Sequence, residues 1–149
     1  MSAMLAALHY IALALGFAGI LIRLRGLRQI HDGNPELAPV YFGDNLWGAA
    51  AGLWLITGLL RAFGGFEKGT EFYLHSHWFY LRMILFVVVV VLEIYPMTTL
   101  IRWRMKKMKT SSTADIKVIS RMKIISMAQL HLIALMPFVA SIMARGGFK

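Results

Sequence analysis

The chain contains no cysteine. Disulfides, thiolate metal sites, iron–sulfur clusters and cysteine nucleophiles are therefore all excluded. Charge is also scarce. Only 15% of the 149 residues are charged, and only seven are acidic, whereas a globular domain has about 25% charged residues. Proline is confined to four positions. Long polar stretches are missing too. In their place stand four apolar runs, which bring the hydrophobic content to 58% and the mean hydropathy to +0.64. A bilayer core about 30 Å thick needs about 20 such residues to be crossed, so the runs read as membrane spans. The length leaves room for one domain.

The first run covers residues 4–22 and ends at Arg23, Arg25 and Arg28. No basic segment precedes it and no small-residue cleavage site follows, so it reads as a retained span rather than a signal peptide. A polar loop with Pro35 and Pro39 follows, and Asp44 is placed to cap a second span at 45–63. Gly64 and Gly65 end that span. A short loop then carries Glu67, Lys68, Glu71, His75 and His77. The third span covers 78–101. Arg102, Arg104, Lys106, Lys107 and Lys109 lead into TSST, and Ser112 with Asp115 marks a fresh helix start. The fourth span covers 123–144. The expected fold is an all-α integral membrane four-helix antiparallel bundle.

The net charge of +9 does not imply nucleic acid, because the cations cluster in two short loops between spans. Three Lys or Arg follow span one and eight follow span three, through Lys123. The excess places both loops in the cytoplasm and both termini on the periplasmic side of a bacterial inner membrane. The same loops offer a surface for anionic lipid. Ala12 with Gly16, and Gly48 with Gly52, are small-xxx-small pairs that let helices approach closely in lipid; such faces also admit a homodimer.

Ionisable residues inside spans point to chemistry, because burying one in hydrocarbon costs about 2.5 kcal/mol or more. His9 sits near the outer end of span one. It reads either as a hydrogen-bonded interfacial histidine or as a ligand to haem iron or another metal. His131 lies near the middle of span four, bonded to Gln129, Ser126 or another helix, or serving a cofactor. His9 and His131 differ in depth by roughly 9 Å at 1.5 Å per residue, which disfavours joint ligation of one iron. Arg82 either anchors the span at the interface or pairs with a carboxylate or propionate. Glu93 is about three turns from Arg82, roughly 16 Å, so the two do not pair. Tyr95, Arg23 or Arg102 are partners within reach of Glu93. His75, His77, Glu71 and Met83 make an H-x-H group that reads as a solvated loop or, less simply, a copper or zinc site.

Leu8 to Arg23 carries His9 near its start and the pair Ala18 and Gly19 nine and ten residues later. It resembles the first helix of HemJ-type protoporphyrinogen oxidases. Gly52 to Leu60 is similar to their second helix, and Trp78 with Arg82 four residues on is similar to their third, where a lysine is usual. The resemblance implies a four-helix inner-membrane protein binding b-type haem through His9; Arg82 and His131 are further candidate cofactor residues by their positions in spans three and four. Arginine in place of lysine removes a proton donor. The proline after the first-helix Ala-Gly and the Asn-Glu pair of the fourth helix are absent. Taken whole, with FYLHSHWFYLRM and PFVASIMARG, the chain looks closer to a bacterial four-pass family of unknown function, distantly related to HemJ and the copper-resistance membrane proteins. Two functions follow as expectations. One is a haem-binding redox protein or oxidase. The other is a non-enzymatic bundle that binds lipid, a hydrophobic ligand or a partner membrane protein.

Overall fold

The computed structural model describes residues 2–64, 77–112 and 114–145. Four helices account for nearly all of them: α1 Ser2–His31, α2 Ala38–Phe63, α3 His77–Met105 and α4 Ile116–Ala144. Each is long and apolar enough to cross a membrane, so the all-α four-span reading holds. Among the described residues there is no strand, only an isolated bridge between Glu36 and Thr110.

The helices outrun the apolar runs. α1 continues nine residues beyond Ile22, because Leu24, Leu27 and Ile30 keep a buried stripe at helical spacing past the first arginines. α2 begins at Ala38, with Pro39 in the first turn, where its missing N–H costs nothing. Asp44 is thus not a cap but an interior residue, and its carboxylate is free to reach other helices. At α4 the cap is Asp115 itself, which accepts a bond from the Lys117 amide at 2.8 Å. Ser112 lies outside the helix.

α1 packs against both α2 and α4, and α4 against α3. The tightest crossing is between α1 and α2, where Gly19 meets Gly43. A Cβ on Gly19 would lie 2.6 Å from the Trp47 backbone nitrogen and 2.9 Å from the Gly43 carbonyl oxygen. A Cβ on Gly43 would run into the backbone of Arg23 and Gly19. Gly16 makes room for the Trp47 ring, 3.1 Å from its own virtual Cβ. By contrast, Gly48 and Gly52 have nothing within 4 Å. Ala12 and Gly16 are thus packed inside the bundle, Gly16 against the Trp47 ring, whereas the close backbone approach falls at Gly19 and Gly43; Gly48 and Gly52 are exposed and make none.

At the end bearing the basic loops the two connections bond to each other. The Leu37 amide donates to the Lys109 carbonyl at 3.1 Å, and the Ser111 amide donates to the Pro35 carbonyl at 2.7 Å. The Tyr41 hydroxyl donates to the Met108 carbonyl at 3.0 Å. Leu27, Leu37, Val40, Leu100, Trp103 and Met122 form an apolar cluster beneath these contacts.

Above that cluster lies a charged network drawn from all four helices. Arg23, fully buried, holds Glu93 in a two-pronged pair, Nη1 to Oε1 at 2.7 Å and Nη2 to Oε2 at 2.9 Å. Arg23 also donates to Asp44 at 3.0 Å and to the Gln129 side-chain Oε1 at 2.8 Å. Gln129 returns a bond to Glu93 at 2.7 Å, and Arg104 closes the network on Asp44 at 2.8 Å. Two guanidiniums thus face two carboxylates, and the sum is neutral. Of the expected partners of Glu93, the fold selects Arg23.

Candidate functional site

The opposite end of the bundle, where α1 and α3 begin and α2 and α4 end, holds a partly open cavity of about 190 Å³. Its walls are apolar: Leu13, Phe79, Phe86, Met136 and Met143 are among them. Three basic side chains break that surface, namely His9, Arg61 and Arg82. No carboxylate lines it among the described residues. An apolar layer that includes Ala12, Trp47, Val89 and Ile133 separates this cavity from the charged network.

His9 is buried, with 4% of its surface exposed. Gly58 on α2 is what admits its ring: a Cβ there would lie 3.2 Å from the imidazole Cε1. Trp54 and Thr57, one turn apart on α2, supply the ring's partners. The Trp54 indole Nε1 donates to His9 Nε2 at 2.9 Å, and Arg82 Nη2 lies 2.9 Å from the same nitrogen. Indole and guanidinium nitrogens only donate, so Nε2 is unprotonated and both bonds converge on its lone pair. The proton of neutral His9 then sits on Nδ1 and is donated to Thr57 Oγ1 at 2.9 Å. The Thr57 hydroxyl in turn donates to the Leu53 carbonyl at 2.7 Å. A run of bonds from backbone to hydroxyl to imidazole thereby fixes both ring orientation and tautomer.

Aromatic groups brace the arrangement. Trp54 lies between His9, at 5.8 Å between ring centroids, and Phe86, which meets it edge-on at 5.7 Å. Arg61 sits over the Tyr10 ring at 5.7 Å, which draws a second guanidinium to the cavity wall.

The structure therefore unites two of the three expected site residues, His9 and Arg82. It separates the third. His131 is exposed on the outer surface of α4, where its Nδ1 bonds the Met127 carbonyl at 2.7 Å, one turn back along its own helix. Gln129 and Ser126, its expected partners, are buried on the opposite side, and Gln129 belongs to Arg23 and Glu93. Glu71 and His75 lie outside the described residues. His77 is exposed at the start of α3, while Met83 lines the cavity. Among the described residues no group of three or more His, Asp or Glu is placed to hold a metal ion.

Sequence reasoning did not single out Thr57 as a partner of His9. One signal was available: Trp47 and Trp54 are seven apart and share a face of α2, and Thr57 falls one turn after Trp54 on the same side. In antiparallel helices it also comes level with the first turns of α1.

The family described as "Predicted membrane protein (DUF2214)" matches residues 1–147. No match was found among curated proteins or among solved structures.

Proposed function

Because the chain belongs to the DUF2214 family of predicted membrane proteins, we propose that it is a four-pass binding protein whose cavity takes an amphipathic molecule with an acidic head. One observation carries this reading: an apolar cavity lined by two guanidiniums and a histidine. The apolar walls suit a hydrocarbon or macrocyclic body, and the Arg82 fork suits a carboxylate or phosphate. In this reading the acidic head takes up the Arg82 bonds now made to His9, and the body lies along Phe79, Phe86 and Met136. The excess of Lys and Arg in the two basic loops supports an orientation with those loops in the cytoplasm. The cavity then opens to the periplasmic side of a bacterial inner membrane.

The expected result is discrimination by head group. Purified protein titrated with oleate should bind it 10-fold or more tightly than oleyl alcohol, followed by calorimetry. Arg82→Gln should remove most of that preference, since a charge-assisted bond contributes about 1.5–3 kcal/mol. Equal binding of acid and alcohol by the wild-type protein would sink the proposal.

A b-type haem, whose macrocycle carries two propionates, is the second reading, and the His9 tautomer favours it. An iron-ligating imidazole keeps its lone pair on one nitrogen and gives the other N–H to a fixed acceptor, which is what Thr57 provides. His9 would hold the iron, as the resemblance to HemJ-type helices implies, and the Arg82 fork would suit a propionate. Trp54 and Arg82 would first have to leave the lone pair they now share, and His131 is not placed to be a second axial ligand. When bound, haem would supply one-electron chemistry. Protein purified from cells decides between the two readings. A Soret band with split bands on reduction, lost in His9→Ala, selects haem. A colourless folded protein discards haem and leaves the general reading to the oleate titration.

A further inference from the structure

A second concavity lies at the other end of the bundle, a groove of about 370 Å³ between α1 and α4. It is lined by Leu24 and Arg28 of α1 and by Ser120, Lys123, Ile124 and Met127 of α4. From these side chains we infer a specific site for one anionic phospholipid of the surrounding bilayer.

The pattern is graded along the helices. On α4, Ser120 and Lys123 lie towards the basic loops, while Ile124 and Met127 follow towards the bilayer interior. On α1, Arg28 stands one turn beyond Leu24 in the same sense. The polar half of the groove therefore sits at headgroup level and the apolar half below it. This is the order in which a phospholipid presents phosphate and acyl chains.

Charge identifies the lipid. Among the described residues neither Arg28 nor Lys123 has an ion-pair partner, and no carboxylate lines the groove. Arg23, also on α1, is already matched by Glu93 and Asp44. Arg28 is turned across the groove towards α4, with Nη2 3.9 Å from Met127 Sδ. Its guanidinium is thus directed across the groove that Lys123 and Ser120 line from the α4 side. A single phosphodiester answers all three. A zwitterionic headgroup would bring its own cation next to two more. Basic pockets between spans at this level of a membrane are suited to anionic headgroups.

The test is native mass spectrometry of the detergent-solubilised full chain, titrated with phosphatidylglycerol, with phosphatidylcholine and with inorganic phosphate. One phosphatidylglycerol should remain bound where phosphatidylcholine and inorganic phosphate do not. Removing each cation should weaken retention about fivefold, so Arg28→Gln with Lys123→Gln should weaken it about 30-fold. Lys106→Gln with Lys107→Gln removes the same charge from the loop and should change retention less than twofold. Helical circular dichroism confirms that both double variants fold. The inference is overturned if the groove variant retains lipid like wild type. It is equally overturned if the loop variant loses as much, if phosphatidylcholine binds as well, or if inorganic phosphate alone is held.

Discussion

Arg23→Ala is expected to destabilise the bundle by about 3–5 kcal/mol. Arg23 is fully buried and touches Asp44, Glu93 and Gln129, one residue from each of the other three helices. Deleting it removes packing, but the larger effect is electrostatic. Glu93 is left with Gln129 alone, and Asp44 with Arg104, so one carboxylate faces a dry interior uncompensated. Unfolding in mixed micelles by added denaturing detergent, followed by circular dichroism, measures the loss.

The paired replacement Arg23→Met with Glu93→Leu should recover most of it. Both charges then leave together, Asp44 keeps Arg104, and the amide of Gln129 keeps the Val89 carbonyl at 3.3 Å. A buried ion pair replaced by apolar groups of similar size is often neutral. Here the replacement also removes the buried Arg23 Nε, which has no hydrogen-bond partner among the described residues. The coupling between the two substitutions should reach about 2–3 kcal/mol. A cost below about 1 kcal/mol for Arg23→Ala would mean that Arg23 does not close the network.

Gly19→Ala carries the second large effect, about 2–3 kcal/mol of destabilisation, although it adds one methyl group and favours helix. The new Cβ would stand 2.6 Å from backbone, not from a side chain that can swing aside. Overpacking of this kind forces the helices apart. Because Trp47 and Arg23 flank the crossing, both the apolar layer and the charged network would shift with it. Gly48→Ala and Gly52→Ala are the opposite case. Nothing lies within 4 Å of either, so alanine there should be neutral or stabilise by up to about 1 kcal/mol through helix propensity alone. The three glycine variants share one unfolding assay. Equal effects at Gly19 and Gly48 would contradict the α1–α2 crossing.

His9 and Arg82 were legible as candidates because an ionisable group in hydrocarbon needs a reason, whatever the fold. Their meeting was not legible. They are 73 residues apart, and Arg82 has two readings in the sequence, interfacial anchor and anion partner, of which the anchor is the simpler. His131 shows the limit from the other side. By depth alone it looked buried, yet helix rotation turns it outward, and its own backbone meets its need at Met127. Asp44 read as a helix cap because Asn45 seemed to open the apolar run. α2 begins seven residues before Asn45 because Ala38 and Pro39 already form a good first turn, which turns Asp44 into a lateral partner for Arg23.

The sequence by itself determined that there are four spans and that the cations cluster in two loops. Both follow from composition over lengths set by the thickness of a bilayer, and neither depends on which helix touches which. Only the tertiary structure decided which of the glycines bring backbones together, which carboxylates answer Arg23, and which histidine faces a cavity. Those outcomes depend on the rotation and height of each helix about its neighbours. In an apolar solvent hydrophobicity cannot set either one. Small residues and a few buried hydrogen bonds do so instead, and they act only once the helices have met.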